Sequence, residues 1–190
     1  MLPPERDDAT LVAAALAGDD RAFTDLMRRY KEPLFRFVRR YVGDADEAND
    51  IVQESFVAAW AALGGFDVAR PVAVWLRRIA LNKCRDWGRR RQVRQFFYAA
   101  MPLDSPVVRT LALVDSDERA ADEANLGRLD AAIAALPRAL KEALLLTAFE
   151  GMSHKLAAGV LGVSPKAVEN RVHRARQALA RALKEPRNLD

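Results

Sequence analysis

Apolar residues recur at helical intervals along most of the chain, and alternating runs of β-branched residues are nearly absent, so the pattern predicts an all-α protein. A first short helix is expected over 8–17, closed by Gly18. The next, over 20–30, puts Phe23, Leu26, Met27 and Tyr30 on one face, and Pro33 then starts a separate helix whose stripe is Leu34, Phe37, Val38 and Tyr41. A longer helix over 44–63 carries Ile51, Val52, Ser55, Phe56, Ala59 and Trp60 and stops at Gly64-Gly65. Pro71 opens another, running through Trp75, Ile79, Ala80 and Trp87 into Arg89-Arg90-Arg91. From 92 to 115 the periodicity lapses around Pro102 and Pro106, which predicts a linker holding at most short helical pieces. Helices resume over 117–136, break at Pro137 and continue through Phe149. The expected organisation is therefore two small helical domains, 1–91 and 117–190, joined by a flexible linker over 92–116.

The stretch 151–176, GMSHKLAAGVLGVSPKAVENRVHRAR, reads as a helix-turn-helix. Ser153 caps a short helix, Ala158 and Gly162 stand where a close crossing and a tight turn are needed, and Ser164-Pro165 restarts the helix as N-cap and first residue. In the second helix Val168, Val172, Ala175 and Leu179 form the buried stripe, which leaves Lys166, Asn170, His173, Arg174 and Gln177 on the opposite face, suited to a major groove.

The formal charge of +4 over 190 residues is modest, so its distribution matters more than its sum. Between Arg70 and Arg91 eight basic residues face Asp86 alone, and Lys166 to Lys184 repeats the bias, while acidic residues dominate 101–125. Two basic surfaces separated by an acidic segment follow. The single cysteine, Cys84, rules out an internal disulfide and fits a reducing cytoplasm. No stretch approaches a signal peptide or a membrane span, so a soluble, cytoplasmic protein without membrane insertion is expected.

Beyond the helix-turn-helix, two constellations carry candidate chemistry. In DADEANDIVQESF, over 44–56, Asp46, Asp50 and Gln53 or Glu54 make an acidic ridge beside an apolar seam. Paired carboxylates invite thoughts of a metal or an acid–base pair, yet no histidine occurs in the first 150 residues and no glycine-rich phosphate loop is present. No catalytic residue, metal or cofactor is expected, and the ridge suits a partner that presents arginines around an apolar groove. The segment 63–91 combines a loop aromatic, Phe66, with Trp75, Trp87, Asn82 and a basic helix. Trp75 belongs with its apolar neighbours Leu76, Ile79 and Ala80, whereas Phe66 on its loop can stack on an unstacked base while arginines hold phosphates.

These residues together resemble the bacterial extracytoplasmic-function (ECF, group 4) sigma factors of the sigma-70 family. The patterns D-I-V-Q-E-S-F and W-L-R-R-I-A-L-N-K-x-x-D-W over 22–91 are similar to region 2, and L-P through V-E-N-R-V-H-R-A-R over 136–183 is similar to region 4. The resemblance implies a sigma factor that binds core RNA polymerase and directs promoter-specific initiation, with an anti-sigma factor as a further partner. Asp50, Ile51, Gln53, Glu54 and Phe56 would dock on the polymerase clamp helices. Phe66 and Asn82 would capture a flipped base of the −10 element, with Arg77, Arg78 and Lys83 on nearby backbone. Glu169, Asn170, His173 and Arg174 match positions that read the −35 element, with Lys166 and Arg171 beside them.

Three positions depart from the family pattern. Leu156 replaces the acidic residue that completes a capping box, Gly159 weakens the same short helix, and Val72 stands where an aromatic is common. The competing readings are a stand-alone helix-turn-helix regulator, which has no need of the ridge over 44–56, and a small hydrolase, which the missing histidines and phosphate loop disfavour.

Overall fold

A computed structural model describes residues 6–99 and 121–184, with side chains placed over 6–94 and 127–184. Aspartates start each of the first three helices. Asp7 accepts the Thr10 amide at 2.8 Å ahead of α1 (Asp8–Leu16), Asp19 accepts that of Arg21 at 3.1 Å ahead of α2 (Asp20–Val42), and Asp44 accepts that of Glu47 at 2.8 Å ahead of α3 (Ala45–Ala62). Each such cap satisfies an amide that the helix leaves unpaired and contributes about 1 kcal/mol. A single 3₁₀ turn, Leu63–Gly65, and a short loop lead to α4 (Val72–Ala99). Helix α2 packs on α1, α3 and α4, burying Leu34, Phe37 and Val38 against Leu11, Ile51 and Leu81.

The second unit is α5 (Ala121–Ala135), α6 (Arg138–Leu144), a widened π turn (Leu145–Phe149), α7 (His154–Leu161) and α8 (Pro165–Lys184). Leu144, Leu145 and Leu146 pack with Ala157, Val168 and Val172. Among the described residues there is no strand, in agreement with the all-α expectation, and no helix is long and apolar enough to cross a membrane.

Two expectations are corrected. Pro33 does not start a helix but lies inside α2, because the apolar stripe runs unbroken from Phe23 and Leu26 to Leu34, Phe37 and Tyr41. Burying that stripe outweighs the roughly 3 kcal/mol that an internal proline costs. Helix α4 does not end at Arg91 but continues to Ala99, so the first eight residues of the expected linker are helical. The remainder of that linker, and the expected helix start at 117, lie outside the described residues.

The helix-turn-helix forms as its local signals predict. Ser153 accepts the Leu156 amide and Ser164 that of Ala167, both at 3.2 Å. Gly162 ends α7 at φ +69, a left-handed conformation that a side chain would oppose, and its amide closes on Ala158 at 2.9 Å. Leu156 therefore removes only the return half of the capping box. Gly159 is exposed, has ordinary helical backbone, and a Cβ there would meet nothing within 4 Å. Gly159→Ala should stabilise the second unit by about 0.5–1 kcal/mol. Thermal unfolding of the full chain checks it, and a lowered melting temperature would show that the position serves something other than the helix.

Candidate polymerase and nucleic-acid interfaces

Helix α3 carries the acidic ridge. Asp50 and Gln53 are exposed, while Ile51 and Phe56 point into the core at 2% and 4% exposure. The two apolar members therefore hold the helix in place and leave the polar ones to meet a partner. Glu54 is only half-exposed, because Lys83 (3.5 Å) and Arg90 (3.7 Å) on α4 both reach it. Trp87 donates its indole N–H to Glu47 at 2.7 Å, tying α4 to α3 two turns before Glu54. Beside the ridge, Val57 and Trp60 stand exposed and continue with Met27 into an open apolar groove between α2 and α3, floored by Phe23, Val52 and Phe56. Trp60 meets Phe23 edge-on at 4.8 Å. The groove escaped the sequence reading: Val57 and Trp60 sit at the edge of the apolar stripe, where periodicity does not separate core from rim.

The loop aromatic is partly committed. Phe66 follows the 3₁₀ turn and its ring leans on Trp75, centroids 4.7 Å apart, leaving both half-buried. Val72 is buried to 4% exposure and belongs to the core, so its departure from the family pattern is absorbed by packing. Along α4, Arg78 and Asn82 are exposed and lie one turn apart. Lys83 turns toward Glu54 as described. Arg77 is not on that open face: it pairs with Glu150 of the second unit, their side chains 13% and 9% exposed.

Arg77 is one contact of a larger seam between the two units. Glu142, with its side chain 4% exposed, takes both prongs of Arg85 at 2.9 and 2.7 Å and accepts the Tyr41 hydroxyl at 3.3 Å. The hydrogen bonds to Glu142 push the Arg85 guanidinium further up from its already high range. Lys141 donates to the carbonyls of Tyr41 (3.0 Å) and Ala134, and burial pushes its ammonium down to about 8. Arg40 lies 3.4 Å from Asp130 and stacks on Phe149 at 4.6 Å. The π turn delivers Phe149 and Glu150 to this seam. Gly43, at φ +84, ends α2 and admits Ala134, whose Cβ would lie 3.1 Å from a Cβ at residue 43. Cys84 is fully buried beneath the seam, and burial pushes its thiol well above its ordinary range, away from the reactive thiolate. None of these partnerships was visible in the sequence, since Arg85 and Glu142 lie 57 positions apart.

Helix α8 presents the remaining candidates. Lys166, Glu169, Asn170, His173 and Arg174 are exposed on one face, and Arg171 is half-buried at its margin. Lys166 donates to both oxygens of Glu169 at 3.0 Å, and the His173 ring meets Gln177 at 3.0 Å. Val168, Val172 and Ala175 are buried as expected, and Leu179 is partly buried. The reading face also borders a shallow polar hollow with Ser153 and His154 at the start of α7. Among the described residues no group of histidine, cysteine or carboxylate side chains is arranged to hold a metal ion.

The family pattern described as Sigma-70 region 2 matches residues 26–94, and that described as Sigma-70, region 4 matches residues 126–179. RNA polymerase sigma factor CnrH of Cupriavidus metallidurans is 40% identical over 183 residues, covering 95% of this chain and 96% of that one. The solved structure of CnrH in complex with the cytosolic domain of CnrY superposes with a TM-score of 0.68 over 93% of this chain and 96% of that one, at 36% identity. The ECF RNA polymerase sigma factor SigM of Mycobacterium tuberculosis is 33% identical over 94% of this chain and 86% of its own length. The sigma factor RpoE of Bartonella quintana, solved in complex with the anti-sigma factor NepR, gives a TM-score of 0.67 at 25% identity over 87% of this chain and 98% of that one.

Proposed function

The chain belongs to the extracytoplasmic-function sigma factors of RNA polymerase, and from that premise we propose how its helices divide the work of promoter recognition. As a sigma factor it binds core RNA polymerase and directs initiation at promoters bearing −10 and −35 elements. We place it in group 4 of the sigma-70 family, a reading supported by matches to regions 2 and 4. It acts by binding rather than by catalysis, in the cytoplasm where its polymerase partner works. NepR on RpoE and CnrY on CnrH support an anti-sigma partner here as well.

Residues 1–91, with the rest of α4, form the region 2 domain, and 117–190 the region 4 domain. The exposed ridge residues Asp50 and Gln53, with Glu54 beside them, meet the polymerase, held in register by Ile51 and Phe56. Arg78, Asn82 and the Phe66 edge form the −10 surface, extended by Arg77 and Lys83 when their carboxylate partners release them. On α8, Asn170 and Arg174 read bases, while Lys166, Glu169, Arg171 and His173 set the register on the −35 duplex. The observation that carries this reading is the presence in one chain of an exposed acidic ridge on α3 and a capped helix-turn-helix with an exposed polar face on α8. A stand-alone regulator would need only the second. Run-off transcription with core polymerase on the promoter upstream of the chain's own gene tests it. A single start dependent on both proteins is expected, and a duplex footprint without core-dependent transcript would return the stand-alone regulator.

The α8 face makes its own prediction. Arg174→Ala or Asn170→Ala should change which −35 base pairs are preferred, at about 1–3 kcal/mol per lost contact. Lys166→Ala should weaken all duplexes alike and lower the salt slope by about one. Salt titrations and footprints on the single variants decide it. An Arg174→Ala profile identical to wild type would take that residue off the reading face.

A further inference from the structure

We propose that the open groove between α2 and α3 is a self-association surface, on which a second copy of this chain sits about a two-fold axis running along the groove. Three apolar side chains stand at its rim, Met27 on α2 and Val57 and Trp60 on α3, over a floor of Phe23, Val52 and Phe56. Val57 is 70% exposed, so its apolar surface adds little to the fold and is open to a partner. The two helices run antiparallel, joined through Gly43 and Asp44, with Phe23 against Trp60 at 4.8 Å. Eight residues from that contact, about 12 Å along each helix, Lys31 comes level with Val52. Lys31 lines the groove from α2, and on α3 the exposed Asp50 lies half a turn beyond that level. One rim therefore carries a cation and the other a carboxylate.

That asymmetry selects the partner and its orientation. A two-fold contact uses the same patch on both copies, so the patch must complement itself. An axis across the groove would lay α2 on α2 and α3 on α3, cation rim on cation rim. An axis along it lays α2 of each copy on α3 of the other at the same level, so Lys31 approaches Asp50 twice and Met27 meets Val57 and Trp60 twice. Opposed like charges are costly across a contact, which leaves the second arrangement. The area sets the strength. Helix α3, of 18 residues, is about 27 Å long and a pair of packed helices about 20 Å wide, so the two copies together bury roughly 1,100 Å². An interface of that size is small for a permanent complex, and a reversible dimer with a dissociation constant of about 10 μM follows. Because the contact covers Asp50 and Gln53, a chain engaged with its own copy cannot offer the ridge to polymerase. Self-association thus holds surplus chain in reserve.

The self-association stands on the groove alone, whereas its competition with polymerase rests on the ridge assignment, and the test separates them. Sedimentation equilibrium of the full chain, with a reductant present, is run from about 1 to about 100 μM, which brackets the expected constant. The weight-average mass should rise from that of one chain, 21.1 kDa, towards twice that value. Val57→Asp should hold it at one chain throughout, with an unchanged melting temperature because the position is exposed. Lys31→Glu and Asp50→Lys, each alone, oppose like charges at both ends of the contact and should weaken association about tenfold or more. An equimolar mixture of those two variants restores both pairings and should associate as the wild type does. A wild-type chain that stays monomeric at the highest concentration, a Val57→Asp dimer, or a mixture no better than its components overturns the proposal. Core polymerase added to the associated wild type should yield complexes holding one copy each. Complexes that hold two copies would support the dimer and overturn the ridge assignment instead.

Discussion

Removing about 15 residues between 100 and 120 should abolish initiation at promoters that need both elements, while each domain stays folded and core polymerase still binds. The reach of the chain sets this result. The roughly 20 residues between α4 and α5 can extend to about 70 Å, enough for elements separated by roughly 58 Å. About six residues would bridge only some 24 Å, and adding the radius of each domain, about 14 Å, still leaves the readers short. The deletion must begin after Ala99, because α4 continues that far and cutting into it would confound reach with folding. Circular dichroism and pull-down with core report the two controls, and run-off transcription reports the effect. Full activity from the shortened chain would mean that one element suffices, and the division of labour between α4 and α8 would fall.

What could be read from sequence separates by the range of the interaction. The helix-turn-helix was legible because its signals are local: Ser153, Gly162 and Ser164-Pro165 each act on residues within one turn. The acidic ridge was legible for the same reason, since period alone puts Asp50 and Gln53 opposite Ile51 and Phe56. Pro33 misled because a local rule met a nonlocal force, the stripe of α2 being buried on three neighbouring helices at once. The end of α4 misled for the opposite reason, as the fading apolar period after Trp87 hid good helix formers such as Arg94 and Gln95. The seam lay beyond any pattern. Nothing around Arg77 announces that its partner is Glu150, and a buried pair of that kind exists only once two domains meet. That blind spot bears on function, because a basic helix read as DNA-ready is in part already occupied.

Asp50→Lys should remove most of the affinity for core polymerase without lowering the melting temperature of the chain. Its carboxylate is exposed on α3, so in the free protein little depends on it, whereas facing a basic partner surface its reversal replaces attraction by repulsion. Glu54→Lys is expected to behave differently. It would set a third cation against Lys83 and Arg90, now 3.5 and 3.7 Å from the Glu54 carboxylate, and so should lower stability as well as affinity. The loss from those half-exposed pairs is about 1 kcal/mol or less after solvent screening, small beside the effect on docking. Glu54→Gln separates the two contributions, since it removes the charge without adding repulsion. Affinity for core, measured with melting temperature on the three single variants, decides the assignment. If Asp50→Lys binds core as wild type does, the ridge is only a solvated helix face, and the polymerase contact must be sought in the apolar groove formed by Met27, Val57 and Trp60.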